Sequence, residues 1–207
     1  MRIVFQGDSV TDAGRNYADP HHLGSGYPKY TAEELRRLLP DIEMEFINQG
    51  ISGNRTADLL ERWEKDCLAY RPDVLSLMIG INDTWRRFDS NTPTLAPQYG
   101  DNLRRLLQQV KERTHAKICL IDPILLPTDE TKNTWRFDLD EKIQILREVA
   151  REYADVYLPL DGLMAARCIG ANPVDFTTDG VHPNEFGARV IGSILAPTLA
   201  ALIKNCC

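Results

Sequence analysis

The stretch Arg2-Ile3-Val4-Phe5-Gln6-Gly7-Asp8-Ser9-Val10-Thr11-Asp12 opens the chain. Its first half is a short apolar run without polar/apolar alternation, the pattern of a strand buried on both faces. Its second half is a glycine-led turn that carries a serine. In open α/β sheets, ligands bind where strands end at their carboxyl edge. A hydroxyl placed there is a candidate nucleophile, and its ordinary alternative is a helix N-cap made by Asp8 or Ser9.

Four further runs repeat the strand pattern, at 43–48, 74–79, 117–121 and 155–158. Amphipathic stretches lie between them. One lies near 27–39, with Pro28 in its first turn. Others carry the stripes Leu59, Leu60, Trp63, Cys67; Tyr99, Leu103, Leu106, Leu107, Val110; and Leu139, Ile143, Leu146, Val149, Ala150, Tyr153. The last has Phe186, Val190, Ile191, Ile194 and Leu195, with Pro197 expected to kink or end it. All five stripes are assigned to the core. Strand–helix alternation of this kind predicts an α/β fold with a parallel sheet and helices on both faces. No repeat or linker divides the chain, so residues 1–207 are expected to form a single domain. The segments 83–97 and 122–138 are longer than plain connections need. Both follow strands and are expected to lie as loops above the site, carrying Trp85, Arg86, Arg87, Phe88, Trp135 and Arg136.

Composition narrows the function classes. The chain has 207 residues, 43% hydrophobic and 26% charged, with net charge −6. That balance argues against a general nucleic-acid or anionic-membrane binder, which needs a basic face. The continuous apolar runs, such as 74–81, are too short to span a bilayer. Five cysteines at irregular spacing (Cys67, Cys119, Cys168, Cys206, Cys207) contain no CxxC. They predict reduced thiols and a cytoplasmic protein rather than a disulfide framework or zinc site. Cys206-Cys207 is not a prenylation box and is expected to be a frayed end. No targeting segment precedes the opening strand. His21 and His22 lack a third ligand at useful spacing, so no metal is expected.

Four strand-end or loop positions carry polar residues that can converge: Ser9; Gly50 in NQGISGN; Asn82 in GIND; and Asp179 with His182 in DGVHPN. A nucleophilic serine needs a base, usually imidazole, and the imidazole needs a carboxylate to fix its tautomer. Asp179 and His182, three residues apart across a glycine turn, supply both. A tetrahedral intermediate needs donors aimed at its oxyanion. The amides of Ser9 and Gly50 and the Asn82 side chain are candidates. Each piece alone has a plain alternative: a turn glycine at 50, an Asx or cap residue at 82, a surface turn or two metal ligands at 179 and 182.

Together the four blocks GDSVTD, NQGISGN, GIND and DGVHPN resemble the SGNH hydrolase superfamily, also called the GDSL esterase/lipase family. The resemblance spans nearly the whole chain. It implies a flavodoxin-like three-layer α/β/α sandwich with a five-stranded parallel sheet, and ester hydrolysis through an acyl-serine with no metal or organic cofactor. It also implies Ser9 as nucleophile, His182 as general base and acid, Asp179 as orienting carboxylate, and Ser9, Gly50 and Asn82 as the oxyanion hole. Residues 50–89 look like the intracellular acetylxylan-esterase branch, most specifically in Asn82-Asp83-Thr84-Trp85-Arg86. That resemblance implies a small acylated carbohydrate or other short-chain ester as substrate, and a homo-oligomer is compatible with it. Asp8, Trp85, Arg86 and Trp135 are candidate substrate contacts. The alternative for the two tryptophans is that they pack the loops down or lie at a subunit interface. Competing functions are a general short-chain esterase, thioesterase or lysophospholipase, and a non-catalytic carbohydrate-binding domain. A phosphoacceptor role for Asp8 lacks its acidic partner and lysine.

Overall fold

The computed structural model describes residues 1–204. The terminal Cys206-Cys207 pair lies outside the described residues. In chain order the strands are β1 (Arg2–Gly7), β2 (Glu45–Asn48), β3 (Val74–Met78), β4 (Lys117–Ile121) and β5 (Val156–Leu158). The helices are α1 (Ser9–Asp12), α2 (Tyr27–Leu38), α3 (Thr56–Asp66), α4 (Ile81–Asp89), α5 (Ala96–Arg113), α6 (Glu130–Tyr153), α7 (Leu160–Arg167) and α8 (Glu185–Lys204).

All five strands run parallel in the order β2-β1-β3-β4-β5. β1 pairs with β2 from Arg2↔Glu45 to Phe5↔Asn48, and with β3 from Ile3↔Val74 to Gly7↔Met78. This is the flavodoxin-like order, in which the chain turns in opposite directions from β1 and leaves a crevice between the carboxyl ends of β1 and β3. Ile3, Val4 and Phe5 are wholly buried, as a strand covered on both faces requires.

Alternate strand residues feed two cores. Phe5, Val74, Met78, Cys119 and Ile121 pack with α2 and α8. Leu75, Leu77, Ile79, Ile118 and Leu120 pack with α3, α5 and the carboxyl half of α6. The result is the expected three-layer α/β/α sandwich. Cys67, Cys119 and Cys168 are free thiols, the first two buried.

Three sequence expectations change. Pro197 sits inside α8, which continues to Lys204. Ile191 and Leu195 before it, and Leu199 and Ile203 after it, are all fully buried, and this packing outweighs the lost amide donor. Phe186 is not core: it is 55% exposed, lying over Phe176. By length and composition α8 is also apolar enough to cross a membrane, which the continuous runs did not reveal; about half of it is buried against the rest of the protein.

The third change concerns the two long connections. Residues 83–89 belong to α4, whose Ile81, Trp85 and Phe88 recur at helical spacing and pack into the core beside α6. Residues 130–138 belong to α6, which begins where the Asp129 carboxylate accepts from the Lys132 amide at 2.9 Å. Trp85, Arg86, Trp135 and Arg136 are therefore helical, not loop, residues.

Candidate active site

β1 ends at Gly7, and Asp8 caps the short α1 by accepting from the Val10 amide at 3.0 Å. Ser9 is thus the first helical residue. Its own N–H has no partner among the described residues, as expected for a first-turn donor. Asp8 is 1% exposed and acts here as a buried cap. Burial pushes its carboxyl up to about 7, against the pull of the Val10 amide and the His182 charge.

The serine meets its partners from the far end of the chain. Ser9 Oγ lies 2.8 Å from His182 Nε2, and His182 Nδ1 lies 2.8 Å from Asp179 Oδ2. The other Asp179 oxygen accepts from the amides of Val181 (2.9 Å) and His182 (2.8 Å). The loop is pinned on both sides. Thr178 N–H donates to the His182 carbonyl at 2.9 Å, and Leu126 N–H donates to the Gly180 carbonyl at 2.7 Å.

These contacts set the charges. Burial raises the Asp179 carboxyl, but the bonds from the His182 ring and the two amides outweigh it and hold it well below the usual carboxylate range. The His182 imidazole is raised, first by its bond to Asp179, then by the charges of Asp179 and Asp8, against burial and the Lys132 ammonium. An ionised carboxylate, a basic imidazole and a hydroxyl thus stand in one hydrogen-bonded row. They open on a cavity of about 170 Å³ lined by Ser9, Val10, Ala13, Ser25, Gly26, Tyr27, His182 and Pro183. That is well below the roughly 300–1,000 Å³ of sites for drug-sized ligands.

Asn82 begins α4 at the end of β3, next to the end of β1, and its Nδ2 donates to the Asn54 carbonyl at 3.1 Å. The amide has a second N–H, which this bond leaves available. Gly50 is different from expectation. Its N–H donates to Asn48 Oδ1 at 2.9 Å in an Asx turn, so it is engaged within the loop. A Cβ there would stand 2.3 Å from the Asp12 amide nitrogen, so glycine at 50 serves the close approach of α1 to this loop. The exposed glycine three residues on is the one with a free amide. Gly53 sits at φ +83°, with open space where a Cβ would go and no partner for its N–H among the described residues. It is flanked by Ser52, whose N–H and Oγ donate to Asp12 Oδ2, and by Asn54, which receives Asn82.

The aromatic candidates divide. Trp85 is half-buried with its ring 5.8 Å from the His182 ring, so it borders the site. Trp135 is 4% exposed and packed between Trp85 and Phe88, which leaves it no face for a ligand. The Lys132 ammonium lies over both indoles, 4.6 Å from Trp85 and 3.8 Å from Trp135. Arg86 pairs with Asp89 on its own helix.

Comparison with known proteins agrees with this geometry. The family model described as GDSL-like lipase/acylhydrolase matches residues 5–190. An acetylxylan esterase from Geobacillus stearothermophilus is 30% identical over 198 residues, covering 92% of this chain and 90% of that protein. Its crystal structure superposes with a TM-score of 0.84, covering 96% of this chain and 91% of that one. Solved variants of that esterase include catalytic mutants at a serine, an aspartate and a histidine, the last two three positions apart. A GDSL-like lipase structure from Parabacteroides merdae is 33% identical, with a TM-score of 0.88 over 93% of this chain and 92% of that one.

Proposed function

The chain belongs to the GDSL-like lipase/acylhydrolase family and is a carboxylic ester hydrolase, and from that premise we propose that it removes O-acetyl groups from small carbohydrates of the xylo-oligosaccharide type through an acyl-Ser9 intermediate. The observation that carries this reading is the Ser9–His182–Asp179 row opening on a small cavity. In the proposed reaction Ser9 Oγ attacks the ester carbonyl as His182 Nε2 takes its proton. The Ser9 and Gly53 amides and the Asn82 side chain hold the oxyanion, with Gly53 in the place first assigned to Gly50. His182 then gives the proton to the departing sugar oxygen, which leaves as a hydroxyl. A water molecule, deprotonated by His182, attacks the acyl carbonyl, and His182 returns that proton to Ser9 Oγ as acetate leaves.

The acetyl preference is supported by the volume of the cavity and by the name of the Geobacillus relative. Trp85, beside His182, is the proposed contact for the sugar. Acetate release from acetylated xylo-oligosaccharides, set against p-nitrophenyl acetate, butyrate and octanoate, tests it. Acetyl esters should be turned over best, with octanoate slower by roughly 10²-fold through steric exclusion. A preference for octanoate would replace the sugar-ester reading with a lysophospholipase-like one.

Asn82→Ala should lower kcat on the order of 10²–10³, about 3 kcal/mol, by removing one oxyanion donor. KM should change little, since the bond is made to the transition state. A near-normal kcat would take Asn82 out of the hole.

A further inference from the structure

Arg62 stands on α3, away from the triad, with its side chain 13% exposed. Its i,i+4 partner Asp66 accepts from Nη1 at 3.2 Å, the usual arrangement of a helix-surface pair. The rest of the guanidinium is turned inward. Nη2 donates to the Gly7 carbonyl at 3.2 Å, Nη1 to the Gln49 carbonyl at 2.9 Å, and Nε to Asn54 Oδ1 at 2.7 Å.

Those three acceptors belong to the turns that carry the proposed oxyanion donors. Gly7 ends β1 two residues before Ser9. Gln49 opens the loop that follows β2. Asn54 follows Gly53 directly, and its carbonyl takes the Asn82 side chain at 3.1 Å. One rigid planar group therefore touches the Ser9 turn and both ends of the Gly53 loop, and through Asn54 it reaches Asn82. Nothing else about a helix-surface arginine requires this convergence.

We propose that Arg62 is a positioning residue that fixes the Ser9, Gly53 and Asn82 donors relative to one another. The inference rests on the reading of those three groups as the oxyanion hole. The physical reason is geometric. The donors come from three separate chain segments, and each must hold to about 0.5 Å for the hole to work. A guanidinium offers five N–H donors in a fixed fork, so it ties three acceptors without rotamer slack; a lysine ammonium on a flexible stem does not.

The test compares Arg62→Lys and Arg62→Gln with the unmodified enzyme on an acetyl ester, with Ser9→Ala in parallel. Both Arg62 variants should lose on the order of 10²-fold in kcat, the cost of misplacing groups by about 1 Å, with KM little changed. Affinity for a trifluoromethyl ketone, which forms a tetrahedral adduct on Ser9, should fall in step with kcat. The acid limb of the pH profile should stay where it is, because His182 is untouched. A kcat within about twofold of the unmodified enzyme overturns the proposal, as does a loss of kcat with unchanged adduct affinity. In either case an inactive Ser9→Ala keeps the esterase reading intact, whereas an active one removes that reading itself. Should neither Arg62 variant fold, Asn54→Ala decides. It removes one of the three acceptors on a half-exposed residue and should lower kcat and adduct affinity together, by about 10-fold, the order of one hydrogen bond. An unchanged kcat there overturns the proposal.

Discussion

Ser9→Ala is expected to lower kcat on an acetyl ester by on the order of 10⁶, the loss seen when one member of a triad acting as a unit is removed. Among the described residues the Ser9 hydroxyl makes a single bond, to His182 Nε2. Its removal takes away the attacking atom and leaves the His182–Asp179 pair and the cavity wall in place. KM and the thermal midpoint should therefore move little. Labelling by a fluorophosphonate, which needs the same oxygen, should vanish. Activity near that of the unmodified enzyme would put the nucleophile elsewhere.

Part of this site was legible because Ser9, the Gly50–Gly53 loop and Asn82 follow directly on β1, β2 and β3, whereas Asp179 and His182 lie in the loop before α8. Ile3, Val4 and Phe5 form an apolar run with no exposed face, and the segment after it had to leave the sheet at its carboxyl edge. The same held after β2 and β3. The serine, histidine and aspartate were placed by their chemical need for one another, and they meet at hydrogen-bonding distance.

The proposed shift from Gly50 to Gly53 shows where sequence stops. Gly50 and Gly53 lie in one loop, and composition does not say which amide faces the crevice. The decision is made by Asn48, whose side chain folds back onto the Gly50 N–H. Asparagine two residues before glycine is an Asx-turn pattern, and that signal pointed away from Gly50 as a free donor. Arg62 was missed for a related reason. Beside Asp66 it has the spacing of a surface ion pair, and only the fold shows that three of its bonds run to separate turns. The short α4 was taken for a loop because its apolar stripe covers only Ile81, Trp85 and Phe88. Trp135 was placed at the mouth because a tryptophan after a strand resembles a sugar platform. The helical register of α6 instead turns it inward, against Phe88.

Asp179→Asn should cost on the order of 10⁴ in kcat with the fold preserved, because it presents His182 with the wrong partner. One oxygen of Asp179 accepts from the Val181 and His182 amides. An asparagine must keep its carbonyl oxygen there, since an NH₂ group would face two N–H donors. Its NH₂ then points at His182 Nδ1, which must accept. The ring is left with its proton on Nε2, facing the Ser9 hydroxyl that it should deprotonate. The pH profile carries a second, independent sign. The bond and charge of Asp179 are the leading causes that raise His182, and they favour the imidazolium. Without them the imidazole loses its proton more readily, so the acid limb of kcat/KM moves to lower pH even as the plateau falls. Lys132 pushes the same way, and Asp8 alone still opposes it. A serine whose base was held by some other group would show neither change. Turnover within about tenfold of the unmodified enzyme, or an acid limb moved to higher pH, would show that Asp179 does not set the tautomer of His182.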